Sequence, residues 1–284
     1  MPPAASITRF LRRATNELRS RLAPVPEISA ELWIFTVRKF PFLAALTDEE
    51  QAKLRAISAL FLRQKEFTGA HGLQVTDEMA VAIAAQACLP LLHWGDPAQA
   101  LEWYDDFVGI VVHPAEAVAV RHSTDAAGVS HQYSQVLLGE AMERGPIMLA
   151  WPAVASAGQD PEDATSVVIH EFIHKIDMKD GSVNGRPPLR LGFAGTSTAA
   201  QGRQLWADTW TRAYEDFREK VIIAQRFGGE KPWLNSYGAS APEEFFAVAC
   251  EAYFVHRARF VEEFPTLAPL LDALFRPDAA TKAR

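Results

Sequence analysis

The chain has 284 residues, 49% of them hydrophobic and 22% charged, with a formal net charge of −7. This composition is typical of a globular protein with a sizeable core. The acidic balance and the lack of a basic domain argue against direct nucleic-acid binding. No apolar stretch reaches the roughly 20 residues that span a bilayer, so we expect no transmembrane segment. Cys88 and Cys250 lie in apolar runs, which favours buried free thiols and fits a reducing compartment.

The first 25 residues are predicted to form a basic amphipathic extension. Residues 6–22 contain five arginines and one glutamate, with apolar residues at helical spacing. Such a segment is compatible with lipid binding or a transit peptide, but a helix appended to the body is the simpler interpretation. Two prolines at 24 and 26 mark the break. We therefore predict one domain over residues 26–276 and a C-terminal tail over 277–284.

The first part of the predicted domain is helical. Thr47 and Glu50 have the spacing of a capping box and precede apolar residues at helical spacing. Thr76 precedes a second helix of the same kind. Both helices are expected to contribute to the core.

The middle of the chain changes to strand patterns. Residues 107–113, 118–120 and 147–151 are short apolar runs of the kind found in strands. The last run ends about 20 residues before the segment HEFIH at 170–174. It could form the sheet edge that aligns an extended peptide, although an ordinary buried strand fits the pattern equally well.

The most informative segment is HEFIH at 170–174. On a helix, His170 and His174 lie one turn apart on one face, so both rings can reach one metal ion such as zinc. Glu171 lies beside that ion and can act as general base toward a metal-activated water. Two hydrogen-bonded core histidines without a metal would leave this glutamate unexplained.

A third metal ligand is expected because catalytic zinc usually has three protein ligands and one open position. Asp177, one turn after His174, could bind the metal or accept a hydrogen bond from a ligand. Asp180 occupies the third-ligand position of the pattern HExxHxxGxxH/D. That pattern requires glycine where this chain has Asp177, which disfavours Asp180.

The region after the motif offers better candidates. Turn residues dominate 180–188, a long helix is predicted over 198–227, and a last helix begins near 240–242. In that last helix, Ser240 and Glu243 fit a capping box and leave Glu244 free to point inward.

Glu244 precedes two phenylalanines, which indicate that the start of this helix is buried. A buried carboxylate needs a partner, and a metal is a strong one, although a solvated helix acid is the simpler alternative. Glu251, two turns along the same face, could bind instead or orient a histidine. Tyr237 lies seven residues before Glu244, where its phenol could donate to an oxyanion or simply pack.

Four segments together resemble the Mlc titration factor A family of bacterial zinc peptidases. They are HEFIHKIDMKDG at 170–181, YGASAPEEFFAV at 237–248, QACLPLLHWG at 86–95 and GEAMERGPIMLAW at 139–151. The similarity extends over about residues 32–275. The tyrosine-then-glutamate element is also similar to the metal site of anthrax lethal factor.

The resemblance implies a gluzincin-like, zincin-like α+β fold that is mostly helical, with a small mixed sheet and an HExxH active-site helix. It implies one zinc ion per chain, held by His170, His174 and Glu244. It further implies Glu171 as general base and Tyr237 as electrophilic helper. A cytoplasmic location, aminopeptidase-like activity on peptides and binding of a glucose-responsive transcriptional repressor are also implied.

Two functions therefore remain open at this stage. One is a zinc-dependent peptidase, and the other is a regulatory binding protein that sequesters a repressor, with zinc mainly structural. An open fourth position on the metal would favour the enzyme, whereas a fourth protein ligand such as Asp177 would favour the structural role.

Overall fold

The fold is described by a computed structural model that covers residues 27–115, 117–124, 130–137, 139–141, 145–160, 162 and 164–277, with the backbone alone between 117 and 141. The predicted extension over residues 1–25 and nearly all of the predicted tail lie outside these ranges. The domain boundaries drawn there stay predictions.

Helices make up most of the described chain. In chain order they are α1 (Ala30–Lys39), α2 (Pro41–Ala44), α3 (Asp48–Gln64), α4 (Asp77–Cys88), α5 (Pro97–Ala100), α6 (Trp151–Ser156), α7 (Val167–Asp177), α8 (Ala199–Phe227), α9 (Pro242–Val255), α10 (Arg257–Glu263) and α11 (Ala268–Phe275). Among the residues described, none of these helices has both the length and the apolar character to cross a bilayer.

The strands form a four-stranded sheet and a separate hairpin. They are β1 (Glu66–Gly69), β2 (Gly109–His113), β3 (Ala117–Thr124), β4 (Ser130–Leu137), β5 (Gly139–Ala141) and β6 (Ile147–Ala150). The sheet has the order β1-β2-β6-β5, with β5 antiparallel to β6 and the other neighbours parallel. The hairpin pairs β3 with β4. The prediction of a mostly helical α+β fold with a small mixed sheet is confirmed.

Several predicted helix starts are confirmed by their caps. Thr47 accepts from the Glu50 N–H while the Glu50 side chain accepts from the Thr47 N–H, which completes the capping box at α3. Thr76 caps α4 through the N–H of Met79. The long predicted helix is α8, and it ends at Gly228 with a φ of 70°. Both cysteines are buried free thiols, as predicted.

Of the two alternatives left open for residues 147–151, the structure supports the ordinary buried strand and not the sheet edge. Ile147–Ala150 form β6, which is paired on one side with β2 and on the other with β5, and Trp151 begins α6. The apolar run therefore reflects an interior strand, whose backbone hydrogen bonds are used within the sheet. The edge strand beside α7 is β5.

The helix α7, which contains the HEFIH segment, is held in the centre of the core. All its residues except His170 are buried. On the side of the helix away from the two histidines, Phe172 packs against Phe61, Tyr104 and Phe107, with ring centroids 4.8–5.8 Å apart. Burial of such a ring stabilises the fold by about 2–3 kcal/mol. The motif histidines are thus carried on a helix that has little freedom to rotate.

An ion pair also holds α7 next to the motif. Lys175 Nζ lies 2.9 Å from Asp106 Oδ2, and the lysine side chain is fully buried whereas that of Asp106 is 25% exposed. The neighbouring pair of Lys179 with Asp105 is at the surface, where the Asp105 side chain is 68% exposed. Adjacent aspartates therefore make one buried and one exposed ion pair with the same helix region.

We expect Asp106→Asn to lower the free energy of unfolding by about 3 kcal/mol, because it removes the carboxylate charge that lies 2.9 Å from the ammonium of the fully buried Lys175. The matched change Asp105→Asn should cost less than about 1 kcal/mol, since its ion pair is exposed to solvent. Urea denaturation of both variants measures the difference. Equal destabilisation by the two changes would contradict the assigned role of Asp106.

Candidate metal centre

Three side chains from two helices converge at one point. His170 and His174 come from α7, and their Nε2 atoms lie 3.1 Å apart. Glu244 comes from the first turn of α9, and its Oε2 lies 3.1 Å from His170 Nε2 and 3.4 Å from His174 Nε2. The ligand atoms of all three lie within 4.8 Å of one another. The structure thus brings together the three side chains that the sequence singled out as metal ligands.

The start of α9 differs from its prediction. The Ser240–Glu243 capping box is wrong, because Ala241 is the N-cap residue and makes no side-chain cap. Pro242 occupies the first helical position, where its fixed φ favours the helix and its missing N–H costs nothing. The Ser240 hydroxyl instead donates to the Tyr237 carbonyl at 2.7 Å. Glu244 therefore reaches the histidines without a capping box beside it.

The hydrogen bonds of His170 test whether a cation fits. His170 Nδ1 lies 2.8 Å from Glu251 Oε1. An ionised carboxylate only accepts, so Nδ1 carries a hydrogen and Nε2 of the neutral ring has a lone pair. That lone pair faces Glu244 Oε2, another acceptor, at 3.1 Å. The two atoms are stable this close only with a proton or a metal cation between them, and two imidazoles with one carboxylate are a donor set that zinc prefers.

The pKa shifts of His170 and Glu244 also indicate that the site favours a positive charge. Burial lowers the pKa of His170, but its contacts with the carboxylates of Glu244 and Glu251 raise it well above the usual value. Burial raises the pKa of Glu244, but the hydrogen bonds from His170 and His174 bring it well below the usual value. The site therefore favours an ionised carboxylate beside a positive charge.

Glu171 is buried beside this cluster, with 4% of its surface exposed. Burial raises its pKa above the ordinary value, as do the charges of Glu244 and Glu251, while the two histidines oppose the shift. A carboxylate with a raised pKa holds a proton more readily near neutral pH. Glu171 is not one of the three converging ligands, so it is available for proton transfer.

Tyr237 lies at the rim of the cluster. It belongs to a 3-10 turn, Ser236–Ala239, in which Asn235 Oδ1 accepts from the Tyr237 N–H at 3.0 Å. Its ring centroid is 6.0 Å from that of His170, and 39% of the residue is exposed. The ring thus lies next to His170 in a residue that is partly exposed.

The other two carboxylates considered from the sequence have different partners. Asp177 Oδ2 accepts from the N–H groups of Asn184 and Gly185, at 2.8 and 2.7 Å. Asp180 Oδ1 accepts from the Ser182 N–H at 3.2 Å. Neither is part of the converging group. Asp177 instead fastens the loop that follows α7.

That loop touches the start of α9 through Gly185. Its φ is +72°, and its carbonyl accepts from Trp206 Nε1 at 2.9 Å. A Cβ added at this position would lie 2.8 Å from the Pro242 carbonyl oxygen, two residues before Glu244. The loop and the helix therefore meet backbone to backbone.

We expect Gly185→Ala to lower the free energy of unfolding by about 2–3 kcal/mol and to weaken zinc binding, because the Pro242 backbone must shift. Gly181→Ala is a matched control, since Gly181 also has a positive φ of 96° but its added Cβ meets no atom within 4 Å. It should cost only about 1 kcal/mol and leave zinc binding unchanged. Thermal unfolding and zinc titration measure both effects, and identical behaviour of the two variants would exclude a steric role for Gly185.

Two residues behind the cluster escaped the sequence analysis. Ser166 is the N-cap of α7 and accepts from the Ile169 N–H at 3.2 Å. A serine immediately before an apolar helical run is itself a capping signal. Gln86 is the single polar residue among the apolar residues that end α4, and buried polar groups generally need partners.

A mostly helical α+β fold that brings two imidazoles and a carboxylate to one point is typical of the metallopeptidase class. The family model described as "Glucose-regulated metallo-peptidase M90" matches residues 13–276. The chain belongs to this family, and the resemblance to the Mlc titration factor A family is confirmed. The match begins inside the predicted N-terminal extension, so the boundary at residue 25 stays a prediction.

Individual relatives cover most of the chain. It is 32% identical over 250 residues to Mlc titration factor A of Cronobacter sakazakii, which covers 87% of this chain and 83% of that protein. It is 31% identical over 249 residues to Mlc titration factor A of Salmonella arizonae, with coverages of 86% and 90%. It is also 34% identical over 218 residues to the uncharacterized protein slr2042 of Synechocystis sp., with coverages of 76% and 72%.

Proposed function

We propose that this chain is a zinc-dependent peptidase in which His170, His174 and Glu244 hold one zinc ion and Glu171 is the general base. The observation that carries the proposal is the convergence of two imidazole nitrogens and one carboxylate oxygen, all within 4.8 Å, next to a buried glutamate that is not part of the set. Bound zinc supplies an acidified water and a polarised carbonyl.

Glu171 has the properties of a proton carrier. It is buried, and burial raises its pKa above the usual value for a glutamate. Its carboxylate can therefore take a proton from the attacking water and deliver it to the leaving amine. Two proton transfers by one group require a side chain that stays in place, and α7 is fixed by the core.

Tyr237 and the strand β5 are suited to hold the substrate. The Tyr237 phenol, at the exposed rim beside His170, can donate a hydrogen bond to the oxyanion that forms during attack. The strand β5 is an edge strand beside α7, and within the described residues β6 is its one partner in the sheet. Its other side can pair with an extended peptide. We therefore assign to β5 the alignment role that the sequence suggested for β6.

The family resemblance adds a substrate class and a location to this proposal. It favours aminopeptidase-like activity on small peptides and a cytoplasmic location. Neither is carried by a contact in the site, so both depend on the resemblance alone.

A second candidate function comes from the names of the relatives. Two of them are called Mlc titration factor A, and by that likeness the chain would sequester a transcriptional repressor, with zinc mainly structural. A structural zinc usually has four protein ligands. Asp177 was the candidate for the fourth ligand, but it is not among the side chains that converge at the metal position, and its Oδ2 accepts from two loop N–H groups. This placement of Asp177 favours the peptidase.

The test combines metal analysis of the purified protein with hydrolysis of chromogenic aminoacyl-anilides. We expect one zinc per chain and hydrolysis that a chelator removes and added zinc restores. Stoichiometric zinc without hydrolysis of any aminoacyl-anilide or short peptide would support the repressor-binding alternative. Absence of zinc after incubation with excess metal would overturn both versions of the metal site.

A further inference from the structure

A continuous chain of hydrogen bonds runs from the core of α4 to the metal centre. The Ser166 hydroxyl and Gln86 Oε1 lie 2.8 Å apart. The Ser166 N–H donates to Glu251 Oε2 at 2.7 Å, and Glu251 Oε1 lies 2.8 Å from His170 Nδ1. Gln86, Ser166 and Glu251 are all buried and come from α4, the start of α7 and α9. Three separate elements thus meet behind one histidine.

The direction of the hydrogen bond between Ser166 and Gln86 is determined by the other contacts of Gln86. Gln86 Nε2 donates to the carbonyls of Ala82 and Val154, at 3.3 and 3.4 Å, so its Oε1 is the acceptor. The Ser166 hydroxyl must therefore donate to Gln86. Its lone pair is used by the Ile169 N–H, in the cap of α7.

The hydrogen bonds of Glu251 determine the tautomer of His170 at the metal centre. Each oxygen of Glu251 faces one N–H, that of Ser166 and that of His170 Nδ1, and the residue is only 5% exposed. With the hydrogen held on Nδ1, the lone pair of His170 is confined to Nε2. That atom is the one that faces His174 and Glu244.

We infer that Glu251, Ser166 and Gln86 are positioning residues that hold His170 in the Nδ1–H tautomer and fix its ring, so that the metal is retained. This inference rests on the proposed function, because it takes the cluster to be a metal site. Outer partners of this kind typically change metal affinity by about 10–100-fold. None of the three is among the side chains that converge at the metal position.

Glu251→Gln is the sharpest test. Glutamine has the same shape but one oxygen acceptor and one NH2 donor, so it cannot accept from both N–H groups. With its oxygen toward Ser166, its NH2 faces His170 and favours the Nε2–H tautomer, which cannot bind a metal through Nε2. We expect zinc affinity to fall about 10–100-fold and zinc dissociation to accelerate under conditions in which the protein stays folded. Glu262→Gln, the same change at an exposed residue of α10, should leave both unchanged.

Ser166→Ala tests the outer part of the chain. It removes the hydroxyl that donates to Gln86 but keeps the N–H that donates to Glu251. We expect faster zinc dissociation than in the unmodified protein, but a smaller effect than that of Glu251→Gln. If zinc dissociates from Ser166→Ala at the rate of the unmodified protein, Ser166 and Gln86 are not positioning residues of His170.

A measurement on the unmodified protein covers the case in which a variant does not fold. Nitrogen-15 NMR of the zinc-loaded chain should show the His170 proton on Nδ1, and a proton on Nε2 would overturn the inference. Normal zinc affinity in folded Glu251→Gln would overturn it as well. Failure of the unmodified chain to bind zinc would instead overturn the proposed function, so the two failures are distinguishable.

Discussion

Replacing Glu171 with glutamine is expected to abolish peptide hydrolysis while the protein keeps its zinc. The amide has nearly the same shape as the carboxylate, so the buried position next to the histidines is preserved. It cannot take up a proton, and removal of a general base typically costs about 10²–10⁴-fold in rate. Anilide hydrolysis and metal analysis on the same sample measure the two properties.

Glu243→Gln provides the control for this change. Glu243 neighbours a proposed ligand, is partly exposed and does not form the capping box predicted for it. The variant should retain zinc and activity, with at most about 1 kcal/mol lost from the weaker charge at the helix start. If Glu171→Gln cleaves peptides at the rate of Glu243→Gln, Glu171 is not the general base.

The second large effect is expected from His174→Ala, which should lose both zinc and hydrolysis. The substitution removes one of the three converging ligand atoms and leaves only His170 and Glu244. Loss of a direct ligand should weaken zinc by more than the roughly 10–100-fold typical of an outer partner. The contrast with Glu171→Gln separates metal binding from proton transfer, because only the histidine variant should lose zinc.

His71→Asn is a suitable control for the loss of a histidine. His71 is exposed and has a φ of 52°, a conformation that asparagine adopts more easily than most residues. It should bind zinc and hydrolyse peptides at the original level. A His174→Ala protein with full zinc occupancy would rule out the proposed ligand set.

The two histidines proposed as metal ligands and the glutamate proposed as general base could be recognised from local order alone. The spacing of His170 and His174 requires one helical face, and the apolar residues around them indicate a buried helix. Caps such as Thr47 and Thr76 were predictable for the same reason, since a cap depends on residues three positions apart. The capping box proposed for Ser240 failed because the helix begins one residue later, with Ala241 as the N-cap residue and a proline at the first helical position.

The candidates for the proposed third ligand could only be ranked from the sequence. Glu244 lies 74 residues after His170, and three carboxylates besides it were chemically suitable. Which of them reaches the histidines depends on how α9 packs against α7. The partners of Glu251 and Asp177, and the position of β6 inside the sheet, depend on the same kind of contact.

The sequence by itself determined the kind of chemistry, because a helix repeats every 3.6 residues and therefore brings side chains four apart to one face. Tertiary structure decided which carboxylate completes the cluster, which one orients His170 and which strand lies at the edge. The choice of carboxylates comes from burial and hydrogen bonds between segments about 70–85 residues apart. The sheet edge comes from the pairing of β6 with both β2 and β5. No local spacing encodes either outcome.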